Sequence, residues 1–145
     1  MTDDIDDANV LGSLSTQHGG LIEVCVFDTT YNDWFRVVEA LRHAGLVVSM
    51  VEINDDAPVE FGPELFDSNA DYRLTLHVGE QTWTTNFFDV GSIDFQGDPR
   101  EVISSKNLRE VTRFMTLIRD ATSRQVVLIP ETLDPRNVKP YLTIS

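Results

Sequence analysis

Residues 21–53, LIEVCVFDTTYNDWFRVVEALRHAGLVVSMVEI, decide the fold class. Residues 21–27 are a short apolar run rich in β-branched side chains, the pattern of a buried strand. Asp28, Thr29 and Thr30 then bring turn and cap chemistry. Thr30 with Asp33 three residues later has the spacing of an acidic capping box. Trp34, Val37, Val38 and Leu41 recur at helical spacing, Ala44 extends the stripe, and Gly45 stands where a helix C-terminal glycine belongs. The pattern predicts a helix over 31–44. A second apolar strand comes at once over 46–53. The stretch therefore reads β-α-β, with connections short enough to imply a crossover.

Downstream, residues 54–70 read as a loop carrying Asp55, Asp56, Pro58, Gly62, Pro63, Asp67 and Asn69, with a helical turn expected at 63–66. Tyr72, Leu74, Leu76 and Val78 alternate with Arg73, Thr75 and His77, which predicts a half-buried strand. Gly79-Glu80 fits a two-residue hairpin turn, and 81–88 read as the returning strand. That turn sets Val78 opposite Gln81, Leu76 opposite Trp83 and Tyr72 opposite Phe87, all on one face. The other face then carries Arg73, Thr75, His77, Thr82, Thr84 and Asn86. Residues 93–95 suit a short extended segment and 97–100 a turn. Asn107 with Glu110 resembles a capping box, and Leu108, Val111, Phe114, Met115, Ile118 and Ala121 predict a helix over 107–122. A strand over 125–129 stops at Pro130, and 141–144 suit an edge strand.

The order β-α-β-β-β-(β)-α-β-(β) predicts an α+β fold. It is expected as a two-layer sandwich with a mainly antiparallel sheet and both helices on one face. Residues 1–20 hold Gly12, Gly19 and Gly20 without sustained periodicity. They are expected as an acidic flexible tail, in which Val10, Leu11 and Leu14 could make one short amphipathic turn. Residues 21–145 are expected as a single α+β domain. Neither internal repeats nor low-complexity stretches interrupt it.

The chain has 145 residues and a formal charge of −13, from 24 acids and 11 bases. The charge is uneven. Residues 23–98 carry 15 acids against Arg36, Arg42 and Arg73, whereas 99–145 carry eight bases against five acids. Phosphate contacts need clustered Lys and Arg, so this surface argues against nucleic acid and against anionic membranes. No run approaches the ~18 apolar residues of a membrane span. The start, MTDDIDDANV, is acidic where a signal peptide needs a basic and then an apolar region. One cysteine rules out an internal disulfide framework and a multi-cysteine metal site. A soluble, cytoplasmic protein is the expectation.

Few residues offer catalytic chemistry. His18, His43 and His77 have no metal-ligand spacing, and His43 near a helix end is accounted for by the helix dipole. Cys25, flanked by Val24 and Val26 with no base nearby, reads as a buried small hydrophobe. Nucleophile elbow, P-loop and dinucleotide fingerprint are all missing. Trp34 and Trp83 fall on core faces. Carboxylates are abundant, but Asp55, Asp56, Glu60 and Glu64 lack the alternation and mid-loop glycine of a calcium loop. Catalytic, cofactor-binding and metal residues are therefore expected to be none.

The segment Ile93-Asp94-Phe95-Gln96-Gly97-Asp98-Pro99-Arg100-Glu101, the helix with Phe114-Met115, and Gln125-Val126-Val127-Leu128-Ile129-Pro130-Glu131 together resemble small acidic uncharacterised bacterial proteins. In those, an F-x-G-D-P-R-E segment precedes a helix and a strand ending in T-P-E. Here Ile129 takes the threonine's place. The resemblance spans about residues 90–132. Some small acidic bacterial α+β proteins of this kind are immunity proteins of toxin systems, so the resemblance implies a protein partner. The residues themselves give that segment a structural reading: Asp98-Pro99 starts a turn, Arg100 pairs with Asp94 or Asp98, and Glu131 ties down a strand end.

The function expected from these readings is a non-enzymatic acidic binding or inhibitor protein that masks a basic, nuclease-type partner. Its contact residues would be Asp55, Asp56, Glu60, Asp67, Asp89, Asp94 and Asp98. The alternatives are a small-molecule-binding or enzyme-accessory module, a carboxylate metal enzyme, and a homodimer built on edge strands.

Overall fold

A computed structural model describes residues 6–16, 20–67 and 70–145. Among them the elements run α1 (Asp7–Ser15), β1 (Ile22–Phe27), α2 (Tyr31–His43), β2 (Val47–Glu52), β3 (Ala57–Pro58) and α3 (Glu64–Asp67). Next come β4 (Tyr72–Val78), β5 (Gln81–Thr85), β6 (Ser92–Gly97), a 3-10 turn at Pro99–Glu101, α4 (Ser105–Thr122), β7 (Val126–Pro130) and β8 (Leu142–Ile144). The fold is α+β. Among the described residues, eight strands form one sheet in the order β3-β2-β4-β5-β6-β1-β7-β8. Every neighbouring pair is antiparallel.

The expected crossover is present. Four antiparallel steps separate β1 from β2, so the two run the same way, and α2 carries the chain past β6, β5 and β4. The link from β6 through α4 to β7 crosses only β1. Helix α2 begins with the anticipated box: Asp33 N donates to Thr30 Oγ1 at 3.2 Å and Thr30 N donates to Asp33 Oδ2 at 2.9 Å. Gly45 closes it with a left-handed φ of 77°. Helix α4 starts two residues earlier than expected. Its N-cap is Ser104, whose hydroxyl accepts from Asn107 N at 3.1 Å, so Asn107 is the third helical residue rather than the cap.

Strand parity divides the sheet into two unlike faces. Ile22, Val24, Val26, Leu74, Leu76, Trp83, Phe95 and Leu128 point to the face where Trp34, Val37, Leu41, Val111, Phe114 and Ile118 of α2 and α4 pack. Both tryptophans are fully buried there, as expected. Leu65 of α3 joins the same core. So do Val10 and Leu14 of α1, packed toward α4 and the 3-10 turn. Residues 7–15 thus differ from the expected tail: they are helical because Val10 and Leu14, four apart, bury on one side. The rest of that stretch, residues 1–5 and 17–19 with His18, lies outside the described residues.

The second face is mixed. On β4 and β5 it is polar, with His77 and Thr82 exposed and Thr75 and Thr84 half-buried. On β1 and β7 it is apolar apart from Glu23: Cys25, Val127 and Ile129 form a small cluster with Phe27 and Val138. The 131–141 segment lies over that cluster. Glu131 N donates to the Leu21 carbonyl at 3.0 Å, Tyr141 N donates to the Leu128 carbonyl at 2.8 Å, and Arg136 sits 4.7 Å over the Phe27 ring. The unbroken apolar run in β7, and that in β1 interrupted only by Glu23, result from burial on both sides.

The hairpin has the expected register, with Val78 opposite Gln81 and Leu76 opposite Trp83. Its second strand ends early, at Thr85, so Tyr72 and Phe87 do not pair. Phe87 adopts a left-handed φ of 56°, which breaks the ladder while keeping its ring buried. The sheet edges are β3, two residues ending in Pro58, and β8, three residues. Short edges and an edge proline both discourage strand addition.

Candidate functional site

The connections that leave one end of the sheet converge on a cluster of aromatic rings. Phe61 comes just after β3, Phe66 lies in α3, and Phe87 comes just after β5. Their ring centroids are 5.8 to 6.2 Å apart. Trp34 of α2 closes the cluster at 5.5 Å from Phe66 and 5.2 Å from Phe87. Tyr31 stacks on Phe61 at 5.3 Å. Offset and edge-on aromatic contacts of this kind add stability beyond area burial.

Each of the three phenylalanines has an exposed carboxylate beside it in sequence. Glu60 precedes Phe61, Asp67 succeeds Phe66, and Asp89 lies two residues after Phe87. Ring packing therefore brings the β3–β4 connection, with Glu60 and Asp67, together with the β5–β6 connection, with Asp89, at one hub. Asp55 and Asp56 lie at the same end of the sheet, on the β2–β3 turn. There Glu52 accepts the Asp55 amide at 3.2 Å and Asp56 takes a left-handed φ of 55°. Asp28, at the C-terminal end of β1, is exposed beside this rim. Arg136 donates to its Oδ1 at 2.9 Å and holds its carboxyl below the usual range.

Two of the seven expected contact residues are placed elsewhere. Asp94 lies on the second sheet face opposite Cys25. Burial, and then the charge of Asp89, push its carboxyl above the usual range. Asp98 lies at the opposite end of β6 and is engaged by Arg100, whose Nη2 donates to its Oδ2 at 2.7 Å. That bond holds the Asp98 carboxyl low. Sequence spacing alone does not separate these two from the rim, because strand parity and the local arginine decide their placement.

The Gly97–Glu101 segment acts structurally at each step. Gly97 lies opposite Trp83, and a Cβ there would stand 2.8 Å from the indole ring. Asp98 caps the 3-10 turn by accepting Arg100 N at 2.9 Å. Pro99 opens that turn. Glu101 Oε1 accepts Thr82 N at 2.9 Å.

Cys25 is buried, and Glu23 beside it on the second face is only 9% exposed. Cys25 Sγ donates to Glu23 Oε2 at 3.8 Å, and Gln96 Nε2 donates to Glu23 Oε1 at 3.3 Å. Burial pushes both the thiol and the Glu23 carboxyl up. Among the described residues, no three His, Cys, Asp or Glu side chains are grouped to hold a metal ion. A mostly apolar cavity of about 260 Å³ lies between α1 and the 3-10 turn, lined by Leu11, Leu14, Pro99, Val102 and Ile103 with Ser15 and Arg100. It falls short of the roughly 300–1,000 Å³ common for small-molecule sites, whereas an open polar hollow of about 440 Å³ lined by Arg119, Asp120, Ser123, Arg124, Gln125 and Ser145 lies within that range. Among the described residues, no helix is long and apolar enough to cross a membrane.

One group of exposed residues escapes the sequence reading. Phe88 is 70% exposed and Val90 38%, both on the 86–91 connection, and Phe35 of α2 is 47% exposed beside Phe61. The signal is the Phe87-Phe88 pair: consecutive residues leaving a strand cannot both face the core. Comparison of the chain with protein-family models and with curated proteins finds no match.

Proposed function

We propose that the chain is a binding protein that masks a basic protein partner, in the manner of an immunity protein, at a cytoplasmic site of action. One observation carries the reading: Glu60, Asp67 and Asp89 rim a single aromatic hub, with Asp55 and Asp56 at the same end of the sheet. An acidic rim steers a basic partner and rejects acidic ones, through interactions that weaken with salt. We leave Asp94 and Asp98 out of the contact set, because one is half-buried on the second sheet face opposite Cys25 and the other is engaged by Arg100.

The test is capture from the native organism's lysate on the immobilised full chain, eluted along a salt gradient. One stoichiometric basic protein is expected, and its affinity should fall when Asp55 and Asp56 are both changed to Asn. An empty capture by folded bait would remove the main support for the reading.

A further inference from the structure

Resting on that reading, we infer that the 86–91 connection is the docking anchor, with Phe88 inserted into an apolar pocket of the partner that is flanked by Lys or Arg. Phe88 is 70% exposed, yet the backbone beneath it is fixed. Three consecutive carbonyls accept hydrogen bonds from the β1–α2 region. Asp89 O accepts from Trp34 Nε1 at 3.1 Å, Val90 O from Thr29 Oγ1 at 2.8 Å, and Gly91 O from Thr29 N at 3.1 Å. On the other side Phe87 is held by its buried ring. A ring presented on a fixed backbone loses little freedom on binding, which is the economy of an interface hot spot.

The charge around the ring selects the occupant. Asp89 is adjacent, and Asp67 and Glu60 sit on the same hub. A second copy of the chain, at −13, would bring like rims together, and nucleic acid or an anionic bilayer would be repelled in the same way. A basic protein surface with an apolar recess fits both the ring and the rim.

The experiment places the photo-crosslinker p-benzoylphenylalanine at position 88, 133 or 82 of the full chain in the native cells. Leu133 is fully exposed on the 131–141 segment, and Thr82 is exposed on the polar sheet face. A basic protein should crosslink at 88 and at neither of the other positions. That protein, purified, should bind Phe88→Ala roughly 30-fold more weakly than the wild type, while Leu133→Ala binds as the wild type does. An unchanged thermal midpoint for Phe88→Ala shows that the loss is one of contact. A basic protein that crosslinks only at 133 or 82, or that binds Phe88→Ala normally, overturns the anchor and leaves the masking reading standing. An acidic protein or a second copy at 88 overturns the anchor. No adduct with a basic protein at any position overturns both.

Discussion

Gly97 and Phe87 illustrate opposite uses of one backbone. Gly97 is required by its cross-strand neighbour, because the Trp83 ring occupies the space a Cβ would take. Gly97→Ala should therefore destabilise the fold by about 1–3 kcal/mol, the usual range for overpacking a core. Urea unfolding measures this, and a wild-type midpoint would refute the packing account. Phe87 instead redirects the chain. Its left-handed φ of 56° is rare for a bulky residue, and it ends β5 where the 86–91 connection begins. The two residues explain different limits of sequence reading. Local chemistry marks Gly97 as a turn residue without the ring that demands it, since Trp83 is fourteen positions away and meets it only across the β5–β6 ladder. The backbone twist at Phe87 leaves no trace in apolar periodicity.

Among the elements, α1 depends most on tertiary contact. Gly12, Ser13 and Ser15 are poor helix formers, and Val10 and Leu14 are its buried residues. Leu14→Ala should cost about 2–4 kcal/mol and make residues 7–15 the first site of limited proteolysis. Proteolysis with mass spectrometry locates the cut, and a first cut elsewhere would show that α1 does not depend on this side chain. The same dependence hides the helix from the sequence, where two core residues in nine give little periodic signal. β1, α2, β2, β4, α4 and β7 are legible because their patterns are local and long enough to repeat. β3 is not, being two residues that pair with Val51 and Glu52 and hold a proline. The candidate site is legible only as composition. Acids on two connections become one rim through contacts of Phe61 and Phe66 with Phe87, and ring packing between distant segments is not encoded in spacing.

For the whole molecule, buried and paired carboxylates respond to acid in opposite directions. Burial raises Glu23 and Asp94 above their ordinary values of 4.5 and 3.8. The folded state thus takes up these protons at higher pH than the unfolded chain does. The resulting destabilisation at neutral pH is relieved as pH falls through the folded-state values. Asp28 and Asp98 are lowered from 3.8 by Arg136 and Arg100, so their stabilisation persists above that value and is lost as pH falls below it. The thermal midpoint should rise from neutral to mildly acidic pH and fall in strong acid. Glu23→Gln, which keeps an acceptor for Gln96, should raise the neutral midpoint and flatten the acidic rise. A pH profile identical to wild type would exclude Glu23 as a source of the rise. The crossovers have a different consequence, for the order in which the molecule assembles. β1 is the first strand made, yet it pairs with β6 and β7, so Ile22 waits for Gly97 and Pro130. During synthesis this largely apolar strand emerges long before either neighbour exists. Contacts so distant in sequence make folding slow and late. The nascent chain must shield the far side of β1 until residues 126–130 of β7 have been made.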